Sequence, residues 1–200
     1  IAFQIVEGLG VAVGEDCRRL VDELDEAGRK ALARHGVRLG VFGAFLKPLM
    51  SSRDLDLRAL LWAVAGDRAP VPAVPAKGEV ALEADDGLDD GFYHAIGYRR
   101  LGPRVLRVDM AERLAAEARA LTRRRPAVAP AELISLSGSS REAFMAIMAA
   151  LGFRARLEDE GIVLGQARRG PARKAARRAA RPAHDPASPF AKLAELELAR

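Results

Sequence analysis

The sequence predicts an α+β fold, predominantly helical, built from small helix-then-hairpin units. Alanine, leucine and arginine are abundant while aromatic residues make up only 5% of 200 positions, a balance that favours helices over a sheet sandwich. Apolar residues recur at helical spacing through much of the chain. Between those segments, glycine-centred turns divide short apolar runs in the manner of β-hairpins.

Each element follows from its own residues. The opening IAFQIVEGLG starts in mid-pattern on Ile1, as expected of a segment cut from a longer polypeptide, and reads as a helix end. In EDCRRLVDELDEAGRKALARHG, Leu20, Val21 and Leu24 make one stripe and Ala27, Ala31 and Ala33 lie near a second. Gly28 is expected to break this segment into two short helices, and Gly36 to stop it. The stretch HGVRLGVFGAFLKPLM (35–50) reads as a buried strand or irregular connector leading to Pro48, with Gly40 and Gly43 suited to close backbone packing or a bulge. SSRDLDLRALLWAVAGD follows as a helix capped by Ser52 or Asp54, with a stripe of Leu57, Leu60, Leu61 and Val64 and Trp62 alongside.

Prolines and then an acidic cluster break the periodicity over 67–90, the composition of a surface linker. A short helix, DGFYHAIG, leads into YRRLGPRVLRV, a strand pair about Gly102-Pro103. Asp109 and Glu112 have the spacing of a capping box, opening a helix through Leu114, Ala118 and Leu121. That helix ends at Arg123, Arg124 and Arg125, where cations complement its dipole. PAELISLSG and SSREAFMAIMAALG form a helix-turn-helix-like pair with a second box at Ser139 and Glu142, and FRARLEDEGIVLG gives two strands around Asp159-Glu160-Gly161. FYHAIGYR (92–99) and AALGFR (149–154) both end a helix at glycine, continue with an aromatic residue and arginine, and enter a strand pair. Two copies of a helix-then-hairpin unit, winged-helix-like or another small α+β module, would give that echo.

The expected organisation is a helical accessory region with one buried strand or connector (1–66), a Pro/acidic linker (67–90), an α+β module with two helix-hairpin units (91–165), and a basic tail (166–200). The tail has almost no large apolar residue before SPFAKLAELELAR, so it is expected to be disordered. Phe190, Leu193 and Leu196 at its end have the spacing of a short docking helix for a protein partner.

Charge is concentrated in that tail. The chain's formal net charge is +5, yet RRGPARKAARRAARP (168–182) alone holds Arg168, Arg169, Arg173, Lys174, Arg177, Arg178 and Arg181 with no acid. Such a run would neutralise several phosphates and release counterions, giving salt-sensitive, sequence-blind binding to nucleic acid; the alternative is a solvated tail that serves solubility.

Other chemistry is excluded by spacing. A phosphate-cradling loop needs lysine directly after glycine and before Ser/Thr, whereas Lys47 lies between Leu46 and Pro48. GLGVAVG lacks the strand before it and the helix within it that a dinucleotide fingerprint requires. No Gly-x-Ser-x-Gly elbow is present, and Asp85, Asp86, Asp89 and Asp90 do not alternate as calcium ligands. Cys17 is the single cysteine, and His35, His94 and His184 are far apart, so neither a disulfide nor a zinc site is expected. No apolar run approaches the roughly 20 residues that span a bilayer, so a soluble, cytoplasmic protein without a membrane partner is expected.

Taken in order, ALARHGVRLGVFGAFLKPLM, LRALLWAVAGD, FYHAIGYRRLGPRVLRVDMAERLA, LISLSGSSREAFMAIMAALGFR and SPFAKLAEL resemble the C-terminal region of alphaproteobacterial superfamily-two (DExH-type) helicases, relatives of the mitochondrial degradosome RNA helicase. The resemblance implies two RecA-like motor lobes upstream of Ile1 that bind ATP and Mg and act in cis. It implies for this chain an accessory role guiding single-stranded RNA or DNA. No catalytic residue and no cofactor is assigned to the chain itself. The alternative is a protein-docking module that recruits a nuclease or other partner through its C-terminal helix.

Overall fold

One plan is laid down three times along the chain. The structure, a computed structural model, describes residues 1–166 apart from the side chain of Ser52. First come α1 (Ala2–Glu7), β1 (Val11–Val13), α2 (Glu15–Glu23), α3 (Glu26–Arg34), β2 (Val37–Leu39) and β3 (Gly43–Leu46). The second set is α4 (Leu55–Ala65), β4 (Ala81–Glu83), α5 (Asp90–Ala95), β5 (Tyr98–Leu101) and β6 (Arg104–Arg107). The third is α6 (Val108–Leu121), β7 (Ala127–Val128), α7 (Ala131–Leu136), α8 (Arg141–Ala150), β8 (Phe153–Glu158) and β9 (Gly161–Gln166). Each set closes a three-stranded antiparallel sheet with its last strand in the middle: β1-β3-β2, β4-β6-β5 and β7-β9-β8. The chain is therefore mixed α+β, with small antiparallel sheets among more numerous helices.

The twofold echo in the sequence is threefold in the structure. Gly36-Val37-Arg38, Gly97-Tyr98-Arg99 and Gly152-Phe153-Arg154 all lead from a helix into the outer strand of a hairpin, and their glycines have φ of +78°, +83° and +83°. That left-handed conformation turns the chain out of the helix with no Cβ to clash. The first copy is hard to see in sequence because valine stands where the others have an aromatic ring.

Burial distinguishes the three sheets. The second is covered on both faces: Tyr98, Val105 and Leu82 pack with Phe92, Tyr93 and Ile96, while Leu101, Leu106 and Ala81 face Leu114, Phe144 and Ile147. Among the described residues, the third buries Ile162 and Leu164 in that latter core on one face only. The first buries Ala12, Val37 and Ala44 with Ile5, Cys17 and Val21, and turns Val11 and Phe45 to Met50 and Val108 at the start of α6.

Several expectations are corrected by tertiary contacts. The break between α2 and α3 falls at Leu24-Asp25, because Asp25 caps α3 by accepting from the Gly28 N–H at 2.7 Å; Gly28 belongs to the first turn of α3. The stretch 67–90, read as a surface linker, contains β4, which pairs with β6. Helix α4 is present but has no side-chain cap, and its inward face is not the leucine stripe. Leu55, Ala59 and Ala63 are buried, small alanines allowing close approach to α5, while Leu57, Leu60, Leu61 and Val64 are 44–71% exposed. Arg58 shares the buried face: its Nη1 donates to the Leu49 carbonyl at 2.9 Å, and burial lowers its pKa to about 10. Neither capping box forms as spaced. Asp109 lies inside α6 and binds Arg107, Glu112 reaches elsewhere, and α8 is capped by Ser140 rather than Ser139.

Candidate nucleic-acid interface

The basic residues singled out in sequence, Arg168, Arg169, Arg173, Lys174, Arg177, Arg178 and Arg181, lie outside the described residues, as do Phe190, Leu193 and Leu196. The surface on which a polyanion would settle is therefore built from the cations of residues 1–166. About half of them are engaged by the protein's own carboxylates, carbonyls and rings among the described residues.

The hairpin β5–β6 shows this most fully. Arg100 donates to Asp86 Oδ1 at 2.7 Å and to the carbonyls of Asp85 and Leu88, and pairs with Asp90 at 2.9 Å. Arg104 donates to the Gly138 carbonyl at 3.1 Å, tying the hairpin to the turn before α8. Arg107 makes a two-pronged pair with Asp109 at 2.6 and 2.9 Å. Arg99 stacks on the Phe42 ring, its guanidinium carbon 4.5 Å from the ring centre. A sheet covered on both faces leaves its long side chains only edges and seams, where neighbouring carboxylates, carbonyls and rings engage them.

Phe42 sits at the tip of the hairpin β2–β3, and that tip explains the glycine-rich stretch. Glu112 of α6 accepts hydrogen bonds from the backbone N–H groups of Val41 and of Phe42, the latter at 2.9 Å. A side chain at Gly40 would collide with this carboxylate, and one at Gly43 with the Ala12 carbonyl. The stretch is thus two strands and a tight tip held by a buried acid. Burial pushes the Glu112 carboxyl above its ordinary pKa, while the two N–H groups and the nearby Arg99 and Arg119 pull it back.

The third sheet is different. Its register places Arg154 opposite Gly165 and Arg156 opposite Val163, on the face away from Ile162 and Leu164. Arg154 and Arg156 are exposed and have no ion pair or hydrogen bond from their guanidinium groups among the described residues. The same holds for Arg123, Arg124 and Arg125, which follow α6. Pro126, directly after them, packs over Gly165, 3.6 Å from where a Cβ would lie. Gln166 Nε2 donates to the Thr122 carbonyl at 3.4 Å, pinning the turn from its other side. Five arginines without partners among the described residues therefore lie on the outer face of this sheet or in the turn that leads into its edge strand β7.

The triplet Arg123–Arg125 was visible in sequence only as helix-end cations. Arg154 and Arg156 left a weaker signal, alternation with Phe153, Ala155 and Leu157 along a strand. Hydrolytic chemistry gains no support: Ser137 and Ser139 hydroxyls bond each other at 2.6 Å, and Ser137 also donates to the Ile134 carbonyl. Among the described residues no group of three or more His, Cys, Asp or Glu side chains is placed to hold a metal ion, and no helix is long and apolar enough to cross a membrane. No protein-family model, curated protein or solved structure matches this chain.

Proposed function

We propose that this chain is the C-terminal accessory, nucleic-acid-guiding region of an ATP-dependent helicase, each of its three repeats a winged-helix-like unit. Motor lobes elsewhere in the parent protein would bind ATP and Mg and perform hydrolysis. The observation that carries the reading is the segregation of charge: arginines of the second repeat are consumed internally, whereas Arg123–Arg125, Arg154 and Arg156 of the third have no partner among the described residues and precede, in sequence, a run of seven cations. A grip made of guanidinium groups without a base-reading element tolerates any sequence and releases readily, which suits a translocating motor.

The test is binding of single-stranded RNA and DNA by the full chain and by a chain ending at residue 167, across a salt series. Weaker binding with a shallower salt dependence after truncation supports the role of the basic run. Unchanged, salt-insensitive binding defeats it. The isolated chain is expected to show no ATPase activity.

A second reading, a module that recruits a nuclease or other protein through Phe190, Leu193 and Leu196, gains from one observation. Helix α4 turns Leu57, Leu60, Leu61 and Val64 to solvent, an apolar stripe of the kind that protein partners cover. Capture of a partner by a peptide of residues 188–200, which lacks the polybasic run, would favour it.

A further inference from the structure

We propose that the outer face of the third sheet is itself a binding site, distinct from the basic run, for the phosphodiester backbone of single-stranded nucleic acid. The inference rests on the guiding-region reading and adds five residues to it: Arg123, Arg124, Arg125, Arg154 and Arg156.

The geometry assembles these groups into a strip. Pro126 packs over Gly165, the register partner of Arg154, so the Arg123–Arg125 turn enters edge strand β7 at the end of the sheet where Arg154 lies, with β9 between them. The Gln166–Thr122 hydrogen bond fixes the other end of the same turn against the last residue of β9. Arg156 follows two positions along β8, about 7 Å from Arg154 on the same face. Guanidinium forks match phosphate oxygens in pairs and keep their charge at any working pH. With no carboxylate engaging them among the described residues, these five retain that capacity in the folded protein.

The surroundings narrow the ligand. At the far end of β8 the turn carries Glu158, Asp159 and Glu160, all exposed. This acidic tip repels phosphate and bounds the strip at that end, leaving a single short line of cations for one backbone to follow. Between the cations the face offers Val128 and Val163, partners across the β7–β9 pairing, and no aromatic ring among the described residues. Bases therefore find no stacking platform there, and the site responds to backbone charge rather than sequence.

The test uses the full chain and a labelled oligouridylate, with affinity followed by fluorescence anisotropy across a salt series. Each phosphate contact removed lowers the slope of log K against log salt by about 0.7 on a single strand. R154Q/R156Q is expected to lower the slope by about 1.4, and R123Q/R124Q/R125Q by about 2. R154K/R156K should keep most of the slope, which separates loss of charge from a local structural change. R19Q, which alters an exposed arginine paired with Asp16 on α2, should leave it unchanged. If the chain binds and the glutamine variants keep the wild-type slope, the sheet-face site is wrong while the guiding-region reading survives. The site is equally overturned if a duplex binds more tightly than the single strand, or if polyglutamate of equal charge competes as well as the oligonucleotide. A chain that binds no nucleic acid at all removes the guiding-region reading, and this site with it.

Discussion

Arg99 and Arg154 occupy the same place in the same plan, two residues after a left-handed glycine on the outer strand of a hairpin, and meet opposite fates. Arg99 lies over Phe42 in the seam between the first hairpin and the second sheet, where the Glu112 carboxylate also lies. Arg154 faces solvent on a sheet whose outer surface no other described element covers. Residue type and local conformation are shared, so neither decides the role. What decides it is whether a second layer packs on that face, because a covered face converts an arginine into a structural connector and an open one leaves its charge available.

The sharpest way to break this contrast is to empty the seam. Glu112→Ala leaves the Val41 and Phe42 N–H groups without acceptors at a buried site and frees the first hairpin's tip from α6. A loss of about 2–4 kcal/mol is expected, read as a lower urea midpoint. An unchanged midpoint would mean that the clamp is incidental. Next in size is the direct comparison of the two arginines. Arg99→Ala should cost about 1–2 kcal/mol through lost stacking and stem packing on Phe42. Arg154→Ala should stay within about 0.5 kcal/mol of the parent while weakening binding of a single strand. Equal stability losses in the two variants would erase the distinction between the hairpins.

The sequence made some of this legible and not the rest. The hairpins at 98–107 and 153–166 and the pair α7 and α8 were readable because turn glycines or short polar turns separate runs of the right length. The strands β1, β4 and β7 were not, since two or three residues cannot display a period of two, and each is defined by partners more than twenty residues away. Helix α4 shows a different difficulty. Its leucine stripe has the correct period, but a second stripe through Leu55, Ala59 and Ala63 competes, and the smaller side chains won the core by letting α5 come close. Glu112 misled through a coincidence of spacing: three residues after Asp109 it mimics a capping box, while its true partners are 70 and 71 positions away. The candidate surface was hidden for a related reason. A dense run such as 168–182 is conspicuous in sequence, whereas Arg154 and the Arg123–Arg125 turn share one end of a sheet only because β7 and β8 both pair with β9.

The smallest expected effect separates the two kinds of charge by the solvent variable each obeys. Glu112 is a buried carboxyl whose pKa is raised above the ordinary 4.5, with burial the largest cause. In the unfolded chain it ionises near 4.5, earlier on a rising pH scale than in the folded protein. Below that value both states hold the proton and burial carries no charge penalty. As pH climbs from 4.5 through the raised folded value, the unfolded state is favoured progressively, and above it the penalty is constant. Wild type should therefore lose stability relative to Glu112→Gln across that interval and run parallel to it at higher pH. The charged groups facing Glu112 are the guanidinium groups of Arg99 and Arg119, with Arg18 against the same Phe42 ring, so the comparison with Glu112→Gln isolates the carboxyl itself. Added salt should barely alter it, because a buried group is weakly screened, whereas the same salt should strip a single strand from Arg154 and Arg156. Parallel stability profiles from acid to neutral pH would show that Glu112 ionises as easily in the fold as out of it. The seam would then be as open to water as the third sheet's face, and the contrast between the two arginines would need another cause.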